Sequence, residues 1–161
     1  LAKLLLQNNA NPNLTTRVGN HPMHFAAQKS LAFVQLLLEY GSKRNPRNSV
    51  CESASMVAAN AGKTDIVAFF IKRGCNWARQ NRFGRSIIDE LIMSDSPLCE
   101  IPDFVIRKHL KHSKPQNKTS LMRAAQNIHP NGTTALQRLI SLGADVNEVG
   151  CTGLTLSLIH I

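Results

Sequence analysis

Apolar residues occur along this chain in short bursts separated by polar breaks. The clearest burst opens with His24-Phe25-Ala26-Ala27, breaks at Gln28-Lys29-Ser30, and resumes as Phe33-Val34-Gln35-Leu36-Leu37-Leu38-Glu39-Tyr40-Gly41. This pattern predicts a short helix with small residues on one face, a tight turn, and a longer apolar helix stopped by glycine. In the longer helices, Phe33 and Leu37, Val34 and Leu38, Ile66 and Phe70, and Leu136 and Ile140 stand one helical turn apart and share a face. A helix of about 9–10 residues does not hold alone in water, so stacking against neighbours must stabilise it.

The sequence supplies the neighbours. The small pair at Ala26-Ala27 recurs at Ala58-Ala59 and Ala124-Ala125, with Leu91-Ile92 in the same slot between them; the steps are 32, 33 and 33 residues. A fixed period of this length marks a repeat array in which each unit touches only the next. A second periodic feature is the helix stop. Gly41, Gly74 and Gly143 precede Ser42-Lys43-Arg44-Asn45, Cys75-Asn76-Trp77-Ala78 and Ala144-Asp145-Val146-Asn147, and Asn9 precedes Ala10-Asn11-Pro12-Asn13. Glycine adopts the left-handed conformation that ends a helix without a Cβ clash, and asparagine tolerates it.

His21-Pro22-Met23-His24-Phe25-Ala26-Ala27 resembles the T-P-L-H-x-A-A motif of the ankyrin repeat. Leu142-Gly143-Ala144-Asp145-Val146-Asn147 resembles its L-x-x-G-A-D-V-N ending. The likeness runs from Leu1 to about Thr155, partial at Ser53-Ala54-Ser55-Met56-Val57-Ala58-Ala59 and least in the third unit. It implies an all-α ankyrin-repeat solenoid of stacked helix-turn-helix units, each followed by a projecting loop or β-hairpin. The expected layout is a partial unit over residues 1–16, units over about 17–48, 49–81, 82–114 and 115–147, and the start of another at 148–155. Such irregular units resemble those of bacterial ankyrin proteins delivered into host cells and of amoebal ones.

Departures from the motif carry their own expectations. His21 replaces the threonine whose hydroxyl caps the first helix, although Pro22 suits its first position. Thr119-Ser120 keeps the capping hydroxyl in the fourth unit. Met56 replaces the motif histidine in the second, which weakens its hydrogen bonding. His24 matches the family's structural histidine, which ties one helix start to the neighbouring unit. In the third unit, Ser94-Asp95-Ser96-Pro97 breaks the helix and Ile101-Pro102-Asp103-Phe104 restarts it, so a long inter-helix loop is balanced by a short outgoing hairpin. The fourth unit has a smaller insertion at His129-Pro130-Asn131-Gly132. Residues 156–161, Leu156-Ser157-Leu158-Ile159-His160-Ile161, are what CTG-TCT-CTT-ATA-CAC-ATC encodes, a sequence resembling a transposon adapter end. They are read as a non-native scar, with both natural ends of the protein absent.

Composition narrows the function. No apolar run reaches the ~18–20 residues needed to cross a bilayer. Lysine and arginine number 19 against 10 aspartates and glutamates, which favours an acidic partner surface. Nucleic-acid binding leans on that charge alone and is the lesser reading. Cys51, Cys75, Cys99 and Cys151 are too far apart for a metal knuckle, and Cys75 fills a small-residue slot as a buried thiol. No phosphate-cradling glycine loop, H-E-x-x-H or G-x-S-x-G is present. Asp89 and Glu90 are adjacent, point about 100° apart on a helix, and are expected on a solvated turn. His109 and His112 lie one turn apart among Lys108, Lys111 and Lys114, which repel a cation; a solvent-facing helix end is expected and no metal or cofactor.

In ankyrin proteins the loop tips and the exposed positions of the first helices line a concave binding surface. Carried over by position, the resemblance points to Arg44, Arg47, Trp77, Arg79, Arg82 and Phe83 on the loops, with Gln28, Lys29, Asn60, Gln126 and Asn127 on the helices. Arginine with aromatic residues is the composition of interface hot spots. Trp77 stands in a valine slot and either leans on the next unit or binds the partner. The arginines are either part of the interface or a solvated rim. The expectation is a non-catalytic, monomeric, cytoplasmic protein-binding module, in its own cell or a host's. The alternative is the targeting arm of a larger enzyme or secreted effector.

Overall fold

The computed structural model describes residues 2–94, 96, 98, 101–112, 119–127 and 130–149; residues 156–161 lie outside these. Nine helices appear among the described residues: α1 (Ala2–Gln7), α2 (Pro22–Lys29), α3 (Leu31–Glu39), α4 (Ala54–Asn60), α5 (Thr64–Lys72), α6 (Ile87–Met93), α7 (Asp103–His112), α8 (Ser120–Gln126) and α9 (Pro130–Ser141). The short helices form one row, α2 on α4, α4 on α6 and α6 on α8, while α3, α5 and α9 pack against α2, α4 and α8. The arrangement is an all-α solenoid, and its core is a continuous strip. Met23, Ala26 and Ala27 give way to Met56, Ala58 and Ala59, then Ile88, Leu91 and Ile92, then Leu121 and Ala124, all buried.

Local chemistry explains the helix limits. Ser30, Ser53, Ser86 and Thr119 each accept a hydrogen bond from the third residue onward and so cap α3, α4, α6 and α8. His21 offers α2 no side-chain cap; instead its backbone N–H donates to Nδ1 of His24 at 3.0 Å. The stops are as expected, with φ of +61° at Asn9, +79° at Gly41, +75° at Gly74 and +95° at Gly143.

The apolar stripe of α9 differs from expectation. Ala135, Leu139 and Leu142 are buried and Leu136 is half-buried, while Ile140 is 44% exposed, so the Leu136–Ile140 pairing does not form the buried face. The extra length of the fourth unit is also placed differently. Pro130, Asn131 and Gly132 form the first turn of α9, which runs 12 residues against 9 in α3 and α5. A Cβ on Gly132 would lie 2.5 Å from the backbone oxygen of Asn127, so the start of α9 approaches the end of α8 closely.

The long loop of the third unit is present between α6 and α7, and it packs. Leu98 and Ile101 enter the core. Ser94 Oγ donates to the carbonyl of Ala59 at 2.8 Å, tying the loop back to the second unit. Arg138 of α9 donates to the carbonyls of Leu98 and Ile101 and pairs with Asp103 at 2.6 Å, tying it forward to the fourth.

Three loop tips repeat one design. Thr16, Asn48 and Asn81 each donate a backbone N–H to the residue four on, at 3.0, 2.9 and 2.9 Å, and their side chains accept backbone N–H groups within the same turn. The fourth residue of each turn has positive φ: Gly19 at +75°, Cys51 at +61° and Gly84 at +67°. Successive tips are laced by backbone bonds, Ser49 N–H to Val18 O at 3.2 Å and Arg82 N–H to Val50 O at 3.0 Å. An antiparallel bridge, Arg47 to Ser53, gives the second loop hairpin character.

Candidate partner-binding surface

The laced tips bring the loop residues of successive units side by side. Arg79 and Arg82 are exposed, and Phe83, within the third tip, is 62% exposed. No carboxylate among the described residues pairs with either arginine; the described ion pairs involve Arg85, Arg123 and Arg138. Arg85 reaches over the Phe83 ring at 5.7 Å from its centroid, a geometry that favours a cation on the ring face. Arg44 is exposed and donates to the carbonyl of Arg73 at 3.3 Å, at the C-terminal end of α5.

Arg47 is used differently. It is half-buried, with Nε donating to Cys51 O and Nη2 to Gln80 O, both at 2.7 Å. One bond closes its own turn and the other crosses to the next loop, so Arg47 clasps the loop after α3 to the loop after α5. In the first unit that crossing is made by His24, whose Nε2 meets Glu52 O at 3.2 Å. Met56, the equivalent residue of the second unit, has no group to do this, and Arg47 supplies the tie from another position. Trp77 is half-buried against the core, with Lys108 Nζ 5.9 Å from its ring centroid.

On the short helices, Gln28, Lys29, Asn60 and Gln126 are exposed at successive C-terminal ends. Asn60 Nδ2 lies 3.4 Å from Glu90 Oε2. Asn127 donates to Ile92 O at 2.7 Å, repeating one unit later the tie that Ser94 makes to Ala59 O. The candidate residues therefore fall into two groups. Arg79, Arg82 and Phe83 stand clear on the loop edge, whereas Arg47 and Asn127 also hold units together.

Two expectations fail at the third unit. Asp89 and Glu90 are each only 2% exposed, so they do not lie on a solvated turn. Asp89 Oδ2 accepts from Ser86 N–H at 2.9 Å and Ser86 Oγ–H at 2.8 Å, closing a capping box. Its Oδ1 accepts from Ser120 Oγ at 2.8 Å and faces Arg123 Nε at 3.4 Å. Glu90 accepts from Asn81 Nδ2 at 3.0 Å and sits 3.9 Å from Arg85; burial raises its pKa, opposed by the Arg85 charge. His109 is 1% exposed and does not face solvent; the side chain of His112 lies outside the described residues. His109 Nε2 lies 2.8 Å from Ser120 Oγ, and because that hydroxyl donates to Asp89, the ring nitrogen is the donor. Burial lowers the His109 pKa, opposed by the Asp89 charge, and the lowering favours the neutral ring. Asp89, His109 and Ser120 are thus in contact with their roles reversed from those of a serine nucleophile, whose hydroxyl must donate to the histidine. The cluster caps and joins helices.

Among the described residues no group of histidine, cysteine and acidic side chains could hold a metal, and no helix is long and apolar enough to cross a membrane. Burial pushes the Cys75 thiol up to about 11, where it stays protonated and unreactive.

The family description "Ankyrin repeats (3 copies)" matches residues 1–81. The chain belongs to the ankyrin-repeat family. Ankyrin repeats are protein–protein interaction modules, and the fold is typically not catalytic. A curated relative, the putative ankyrin repeat protein R841 of Acanthamoeba polyphaga mimivirus, is 27% identical over 96 residues, covering 56% of this chain. The matched segment spans 15% of that relative's length. Three solved structures share the fold at a TM-score of 0.75. They are one chain of the complex between the predatory endopeptidase Bd0816 from Bdellovibrio bacteriovorus and immunity protein Bd3460 (20% identical, covering 98% of this chain and 82% of that one), the human ASB11 ankyrin repeat domain (21%, 96% and 68%) and the ankyrin repeat protein EF0377 (19%, 96% and 80%). The same stacked-helix fold continues past the matched residues 1–81, where α6 packs on α4 and α8 on α6.

Proposed function

We propose that this ankyrin array binds a protein partner with an acidic surface, using the loop edge of its second and third units together with the exposed ends of its short helices. The observation that carries the reading is Phe83, 62% exposed beside Arg79 and Arg82, whose charges no carboxylate among the described residues answers. Of the array's own acids near this edge, Asp89 and Glu90 are turned inward and buried, and Glu52 is half-buried at the end of the second tip. An exposed aromatic ring within a cationic rim gives a partner both an apolar anchor and electrostatic orientation. Gln28, Lys29, Asn60, Gln126 and Asn127 extend the surface along the helix ends, and Arg44 extends it along the loops. Because the tips are laced by backbone bonds, little ordering entropy is lost on binding. The module acts as a monomer without catalysis of its own, in a cytoplasmic compartment. That the curated relative is several times longer than its matched segment supports a second reading, in which the array is the targeting arm of a larger protein.

A peptide-display selection against the 161-residue chain tests this. The expected outcome is enrichment of peptides combining several Asp or Glu with an apolar residue, and at least tenfold weaker binding of those peptides by the Arg79→Ala/Arg82→Ala double variant. Enrichment of basic or charge-neutral peptides, or unchanged binding by the double variant, would overturn the placement of the surface.

A further inference from the structure

Beneath this loop edge lies a small recess of about 110 Å³, lined by Asn45, Arg47, Ser53, Met56, Asn76 and Arg79. Its floor is Met56, at the position where the first unit has His24. Its two walls come from successive loops, Asn45 and Arg47 from one, Asn76 and Arg79 from the next. We propose that this recess is a carboxylate subsite that takes one aspartate or glutamate side chain of the acidic partner; the assignment rests on the reading above and names where that partner's charge is held.

Three observations carry it. First, the lining includes two arginines and no acidic residue; of its two asparagines, Asn45 is already bonded to Ser55 through both its amide atoms, which leaves Asn76. Such a lining favours an anion over any cation or apolar group. Second, one of the guanidiniums is already in place. Arg47 is held by two carbonyls at 2.7 Å, so its charge is aimed before anything binds and loses no rotamer freedom on binding. Arg79 is exposed and makes no ion pair among the described residues, leaving its fork available for a bidentate contact. Third, the volume is well below the roughly 300 Å³ of a small-molecule pocket, which excludes a nucleotide or cofactor and suits a single short side chain. The Met56 thioether and methylenes give the methylene of an acidic side chain an apolar surface to rest on. Arg82 lies on the neighbouring tip outside this lining, so the two exposed arginines have different roles.

Fluorescence anisotropy with two labelled dodecapeptides separates the possibilities, one alternating glutamate and leucine and its analogue with glutamine in place of glutamate. The 161-residue chain is expected to bind the glutamate peptide at least tenfold more tightly. Arg79→Gln should weaken that binding about tenfold, the scale of one charge-assisted hydrogen-bonded pair, while Arg82→Gln should weaken it less than threefold. Neither variant should change binding of the glutamine peptide. If both variants weaken the glutamate peptide equally, the subsite is wrong and the acidic-partner reading stands. If the chain does not prefer glutamate, both fall.

Discussion

At the scale of the residue, the loop tips make a quantitative demand that one of them does not meet. Gly19 and Gly84 occupy the left-handed position of their turns, while Cys51 occupies it at φ +61° in the turn between. A side chain there costs about 1–2 kcal/mol, part of which glycine would return as unfolded-state entropy. Cys51→Gly is therefore expected to raise unfolding stability by about 0.5–1 kcal/mol in urea titrations; a lower midpoint would contradict the turn assignment. Gly132 makes the opposite case. It is a helical glycine, where alanine normally stabilises by about 1 kcal/mol. Because an added Cβ would sit 2.5 Å from Asn127 O, Gly132→Ala should instead cost about 1–3 kcal/mol. The helix-stop glycines were legible from the period alone, since their requirement is local. Gly132 was not, because its requirement is set by a different helix. Asp89 and Glu90 were misplaced for the same reason: their partners Ser120, Arg123, Asn60 and Asn81 are brought to them by stacking or turn formation, not by adjacency.

At the scale of the element, each unit solves the same joining problem with different chemistry. His24 crosses to Glu52 O, Arg47 to Gln80 O, and His109 with Ser120 and Asp89 joins the third and fourth units. The motif histidine and its replacement by Met56 were visible in the sequence; the substitute ties were not, because Arg47 and His109 come from positions the motif does not mark. The long third-unit loop was also visible, but its anchoring by Arg138 was not. The buried histidines make stability depend on pH. Burial lowers the pKa of both His24 and His109 below the ordinary 6.5. The folded chain therefore binds fewer protons than the unfolded chain just below that value. Their contribution is full above about pH 6.5 and is lost as the pH falls below it. Glu90 acts oppositely, since its raised pKa means that acidification relieves a buried charge. Between pH 7 and pH 5, His109→Gln is expected to lose less stability than the wild type. Urea midpoints at the two pH values check this, and parallel losses would show that His109 does not carry the effect.

At the scale of the whole molecule, the array is a strip of layers, and its functional surface exists only because the layers are in register. The period and the paired-helix pattern could be read from the chain; the division of labour among loop arginines could not. That division depends on which carbonyls the neighbouring turn presents. Each unit is held by its immediate neighbours and not by a shared centre. Native-state hydrogen exchange on the Leu139→Ala variant tests this most directly, because Leu139 is fully buried in the fourth unit, far along the strip from α2 and α3. The predicted result is protection lost in α8 and α9, reduced less in α6, and retained in α2 to α5. Equal loss of protection from α2 through α9 would contradict it.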